Sequence, residues 1–183
     1  TFTFNEAPQG FALGDIASAQ GSFSGLTATA NPLVWTATFT PNTNIEDTAT
    51  VTVTAGSYTD VAGNLGTAGS DTTLVDTQGP AAPTLALTTD SGVSSSDKIT
   101  NDGTLTVSGT ETGALVEYST NGTDWSSSFT PAQGSNTVYV RQTDTAGNVS
   151  PASPALTFTY DTAAPSVTVD IAATARKAGE TSS

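Results

Sequence analysis

The chain has 183 residues, no Cys, no His and no Met, and four Lys and Arg against 17 Asp and Glu, a formal charge of −13. Those absences exclude a disulfide scaffold, Ser-His or Cys-His nucleophile pairs and the usual zinc ligands, and so few cations cannot neutralise a phosphate backbone, which argues against nucleic acid as a partner. Hydrophobic residues make up 36%, enough for two small cores rather than one large one, and no apolar run approaches the ~18 residues of a membrane helix.

In chain order, the first strand signal is Thr1-Phe2-Thr3-Phe4. Val34-Trp35-Thr36-Ala37-Thr38-Phe39 and Ala49-Thr50-Val51-Thr52-Val53 alternate apolar side chains with Thr or small residues, the pattern of strands with one face in a core and one in water. A turn follows at Ala62-Gly63-Asn64, then a Pro-bearing linker, Asp76-Thr77-Gln78-Gly79-Pro80. Further strands are expected near 83–89, 104–109, 114–119, 125–130, 136–143 and 155–160, with turns at Asp102-Gly103, Asn121-Gly122 and Ala146-Gly147-Asn148. Helical periodicity is nearly absent. Short strands at about ten-residue spacing between Gly, Asn and Asp turns predict an all-β sandwich.

Three motifs occur twice in the same order. Trp35-x3-Phe39-Thr40-Pro41 returns as Trp125-x3-Phe129-Thr130-Pro131, Asp60-x-Ala62-Gly63-Asn64 as Asp144-x-Ala146-Gly147-Asn148, and Asp76-Thr77-x-x-Pro80 as Asp161-Thr162-x-x-Pro165. The offsets are 90, 84 and 85 residues, the mark of tandem modules with small loop insertions. The expected division is 1–76, a module lacking its first strand; 77–161, a complete module; and 162–183, which begins another with Ser166-Val167-Thr168-Val169-Asp170-Ile171. On this expectation the chain is one period of a longer array. Its last strand then completes the first module of another copy by strand addition, giving head-to-tail chains; a disordered tail is the alternative.

Thr1-Phe2-Thr3-Phe4-Asn5-Glu6-Ala7-Pro8, Tyr58-Thr59-Asp60-Val61-Ala62-Gly63-Asn64 and Thr143-Asp144-Thr145-Ala146-Gly147-Asn148 resemble the bacterial immunoglobulin-like repeats of giant type I-secreted surface adhesins. The resemblance implies tandem immunoglobulin-like β-sandwiches with antiparallel Greek-key sheets. It further implies a secreted, cell-surface rod stiffened by Ca²⁺ at its junctions and serving in biofilms or host contact. The chain is expected to be a structural extender and not an enzyme. The alternative is a module that binds carbohydrate or a host protein.

In immunoglobulin strand order, the loop before the last strand returns to the linker end. Asp144 and Asn148 are therefore expected beside Asp76, with Glu111 at the same end, as oxygen ligands for Ca²⁺. Asp60 and Asn64 occupy the matching end of the first module, where Asp161 of another copy could join them. Asp97, Asn101 and Asp102, with Asp90, form a further cluster expected near Asp161. All these residues also read as turn formers, since Asp and Asn side chains cap turns and Gly63 and Gly147 supply positive φ. Trp35 and Trp125 are expected to anchor cores.

Overall fold

The computed structural model describes residues 1–169. The first half holds β1 (Phe2–Thr3), β2 (Ile16–Ala17), β3 (Gly21–Ala28), β4 (Val34–Pro41), β5 (Glu46–Val53) and β6 (Gly69–Asp76). One 3-10 turn, Leu13–Asp15, is the only helical element among the described residues. The strands form two three-stranded sheets, β1-β4-β3 and β2-β5-β6, in which every pairing is antiparallel. The second half holds β7 (Thr84–Leu87), β8 (Ile99–Thr100), β9 (Leu105–Ser108), β10 (Leu115–Ser119), β11 (Gly134–Thr143) and β12 (Leu156–Tyr160). Its sheets are β7-β9 and β10-β11-β12-β8, and the β12–β8 contact is parallel. The fold is an all-β tandem of immunoglobulin-like sandwiches.

The two cores differ. In the second domain the alternation of β11 and β12 buries Val138, Leu156 and Phe158, and Leu85, Leu87, Leu105, Tyr118 and Phe129 pack against them. In the first, Phe2, Phe4, Trp35 and Tyr58 gather around Phe11 edge to face, at centroid distances of 5.0–5.8 Å. That geometry suits aromatic quadrupoles. Yet its buried apolar residues are few, Phe11, Ile16, Ala49 and Val75 with Pro8, while Phe23, Phe39, Val51 and Val53 stay half-buried.

One strand expectation needs correction. Residues 125–130 form no strand; a single bridge, Tyr118 to Ser126, replaces it. The equivalent segment in the first domain is β4, which carries Thr36-Ala37-Thr38 where the second has Ser126-Ser127-Ser128. Serine hydroxyls compete for nearby backbone, and here the Ser128 amide donates to Ser126 Oγ at 3.4 Å. Trp125 instead lies under the Arg141 guanidinium, 4.3 Å from its ring centre, and Phe129 meets Phe158. In the tail, residues 162–169 take no regular structure, with Val167 and Val169 about four-fifths exposed. Alternation without a neighbour to pair with does not make a strand. Asp170 and Ile171, and the rest of the expected 162–183 segment, lie outside the described residues.

Candidate metal centre at the interdomain junction

The repeated Asp-x-Ala-Gly-Asn motif folds the same way twice. The Asn148 amide donates to Asp144 Oδ1 at 2.8 Å, Asn148 Nδ2 donates to Asp144 Oδ2 at 2.9 Å, and the Asp144 amide donates to the Asn148 carbonyl at 3.0 Å. Asp60 and Asn64 repeat all three, at 2.9, 2.7 and 3.0 Å. Gly147 and Gly63 close these turns at φ of 95° and 86°, a region that disfavours side chains. The bonds hold both carboxyls below the ordinary aspartate value. For Asp60 the Asn64 side chain is the largest cause. For Asp144, desolvation works upward and is outweighed by the Asn148 side chain and the loop amides.

The second copy of the turn does more. Asn148 Nδ2 also donates to Asp76, at 3.1 Å to Oδ1 and 3.3 Å to the carbonyl, which joins the second domain to the last residue of β6. Asp76 Oδ1 accepts the Gln78 amide at 3.0 Å as well, shaping the linker. The linker is pinned to the first domain through Thr77, whose Oγ1 donates to the Asn42 carbonyl at 2.8 Å and whose amide donates to the Ile45 carbonyl at 2.7 Å. On the other side, a Cβ at Gly79 would stand 2.9 Å from the Val149 carbonyl, so only glycine permits that approach.

Gln142 holds this end of the second domain together. It is fully buried; Nε2 donates to the carbonyls of Ala81 (2.8 Å) and Gly109 (3.1 Å), and Oε1 accepts the Glu111 amide at 2.8 Å. One side chain thus ties the linker to the loop that carries Glu111.

The result is a cleft of about 460 Å³ with Glu46, Asp76, Glu111 and Asp144 in its walls, together with Gln78 and Thr145. Four carboxylates from both domains and the linker suit a hard, oxygen-seeking cation. Glu46 and Glu111 make no side-chain hydrogen bond among the described residues, so both are free to turn. As they stand, no three acidic groups among the described residues are close enough together to hold an ion. Asp144 is committed to its turn, and ligation at the cleft would require the two glutamates to swing inward.

Asp76, Glu111, Asp144 and Asn148 therefore meet at one junction. Asp60 and Asn64 lie at the opposite end of the first domain, because β6 runs from Gly69, paired with Val53, to Asp76, paired with Glu46. Asp161 lies at the far end of the second domain, where its amide donates to the Thr100 carbonyl at 2.9 Å and its Oδ1 accepts Gln133 and the Ala163 amide. The acids of the neighbouring loop are used separately. Asp90 Oδ2 accepts the Lys98 amide, Asp97 Oδ1 the Ile99 amide, Asp102 Oδ1 the Thr104 amide, and Asn101 Oδ1 the Ser91 hydroxyl. Thr104 is the main cause of a lowered Asp102 pKa. Each of these contacts closes a separate turn of the loop.

Sequence reasoning missed Glu46 and Gln142. Glu46 becomes visible only when β5 is set against β6, which puts it opposite Asp76. Gln142 did leave a signal, as a polar residue on the inward face that Val138 and Val140 define.

Residues 1–77 and 78–162 match two different families, each described as a bacterial Ig-like domain. No curated protein matches the chain.

Proposed function

This chain is a bacterial Ig-like repeat protein, and we propose that it is a structural extender of a secreted cell-surface adhesin, stiffened by Ca²⁺ where its domains meet. Bacterial Ig-like domains occur commonly in extracellular and surface proteins and are typically non-catalytic. No helix among the described residues is long and apolar enough to cross a membrane. In the same reading copies assemble end to end, a strand of one completing the sandwich of another.

The observation that carries the calcium reading is the junction itself. Asn148 clasps Asp76 at the edge of a cleft lined by carboxylates from both domains and the linker. Small polar interfaces between sandwiches allow relative motion. An ion drawing Glu46 and Glu111 onto Asp76 would remove that freedom and cancel the repulsion among like charges. The alternative, a carbohydrate- or protein-binding module, has less support. Trp35 packs against Phe11 and Trp125 lies beneath Arg141, so neither is presented as an open platform.

Small-angle scattering in millimolar Ca²⁺ and in chelator tests the proposal. The maximum dimension should be better defined with Ca²⁺ and vary more without it. The Glu46→Gln/Glu111→Gln variant, altered only at exposed carboxylates, should lose the difference. Identical profiles for the unaltered chain in both conditions reject the calcium role.

A further inference from the structure

We propose that Asn121 is a deamidation site whose reaction is controlled by the turn around it. Closed, the turn holds the side chain unreactive. Opened, it lets Asn121 convert to aspartate or isoaspartate, after which the turn does not re-form. The chemistry is independent of any cation at the junction.

The sequence supplies the reactive pair. Asn121 is the one asparagine of the chain that is followed by glycine. Deamidation begins when the backbone nitrogen of the next residue attacks the side-chain carbonyl carbon, and a residue without a side chain leaves that approach open. Here the Gly122 nitrogen forms a bond to Asn121 Cγ and the Cγ–Nδ2 bond breaks. The Gly122 amide proton goes to the departing nitrogen, which leaves as ammonia. Water then opens the cyclic imide at one carbonyl or the other, giving aspartate or isoaspartate. Water is the only co-reactant.

In the folded chain every group that must react is engaged. The turn is framed by the bridge between Tyr118 and Ser126, whose amides donate to each other's carbonyls at 2.7 and 2.9 Å. Within it, Asn121 Oδ1 accepts the Thr123 and Asp124 amides, each at 2.9 Å, and the Ser119 hydroxyl at 3.0 Å. Nδ2, the leaving group, donates to Asp124 Oδ2 at 2.6 Å. The attacking Gly122 N–H donates to Ser119 Oγ at 2.9 Å, and the Asn121 amide donates to the same oxygen at 3.3 Å. Ser119 is buried, and its hydroxyl accepts these two amides while donating its own proton to Oδ1. It therefore has no capacity left to take the Gly122 proton. Swinging Cγ onto the Gly122 nitrogen breaks these bonds together, so reaction proceeds from the opened turn and its rate follows the opened fraction.

The repeat provides an inert copy of the same turn. Asn31 and Thr29 stand 90 residues before Asn121 and Ser119, the offset of Trp35 from Trp125. The Asn31 amide donates to Thr29 Oγ1 at 3.2 Å, and Asn31 Oδ1 accepts the Leu33 amide at 3.1 Å, as Asn121 Oδ1 accepts Thr123. Asn31 is followed by Pro32, whose nitrogen has no proton to lose, so the imide cannot form there. The fold thus needs an asparagine at this place in both domains, and the successor decides whether it can react.

Conversion is one-way for the turn. A carboxylate at position 121 has no N–H to give Asp124, and it sets two negative charges where the Nδ2 bond stood. Isoaspartate also lengthens the backbone within a tight turn. Trp125 follows Asp124 directly, and its contact with Arg141 fastens this hairpin to β11, so the disturbance reaches the sheet.

Peptide mapping by mass spectrometry on the full chain, folded and in urea at mildly alkaline pH, tests the proposal. Asn121 should convert at least tenfold more slowly in the folded chain than in urea, with Asn31 unchanged in both. Ser119→Ala and Asp124→Ala should each speed conversion several-fold under folding conditions, with Trp125 fluorescence showing that each variant is folded. Asp124 is exposed, so its variant releases Nδ2 without disturbing a buried group. Asn121→Asp, the product made directly, should lower the urea midpoint of the second domain. Equal rates in the folded and unfolded chain overturn the proposal, as does an unaltered rate in folded Asp124→Ala. Conversion of Asn31 alongside Asn121 would overturn the route through the next residue's nitrogen. An Asn121→Asp chain with an unchanged midpoint would overturn the claim that the turn fails to re-form.

Discussion

Gln142 is the residue on which the junction most depends. Truncation to Ala would leave the Glu111 amide and two carbonyls without partners in a buried place, a cost of about 2–3 kcal/mol to the second domain. Urea unfolding followed through Trp125 should show that loss as a lower midpoint, with the Trp35 signal little changed. Acid sensitivity belongs to the same scale. Asp60, Asp102 and Asp144 have lowered pKa values in the folded chain, below the roughly 3.9 of an unfolded aspartate. Their contribution is complete above about pH 4 and is lost as the pH falls through the depressed folded values. Asp60→Asn/Asp144→Asn should lower the neutral plateau of a stability-versus-pH curve and flatten its acid limb, so that the variant and the unaltered chain converge at low pH. An acid limb of unaltered slope would show that these turns do not retain their bonds in solution.

At the level of elements, local pattern and available partners together decide what becomes a strand. β4 and the 125–130 segment share Trp, Phe, Thr and Pro at equal spacing, yet only β4 is a strand. It has β-branched residues between its aromatics and neighbours on both sides, β1 and β3. β6 and β12 are the converse case: equivalent strands with different surroundings. β12 lies between β11 and β8, whereas β6 has only β5, and Leu74 on it is 86% exposed. Amide exchange should therefore be faster at Leu74 than at Thr159. Equal protection in the free chain would mean that β6 is already covered. Strand signals at β4, β5, β9, β11 and β12 were legible because a half-buried strand writes its burial as a period of two. The 125–130 error arose because the same period can be written by side chains that pack without backbone pairing.

For the molecule as a whole, a charge of −13 on 183 residues sets the physical problem. Two sandwiches must be held end to end while like charges collect at the ends where they meet. The chain answers with amide donors: Asn148 satisfies Asp76 and Asp144 together, and Gln142 fastens the linker behind them. The sequence by itself determined the two-fold repeat, the all-β class, the linker and the turn-forming acids, since all of these are local patterns that a second copy confirms by recurring. It could also anticipate that the loop after β11 returns to the linker, because strand order follows from strand count. Tertiary structure alone decided that Glu46 joins the cleft, that Gln142 is its fastening, and that the acids between Asp90 and Asp102 serve separate turns. Each of these depends on which backbone stands beside which across tens of residues, and pairing at that separation leaves no periodic trace in the chain.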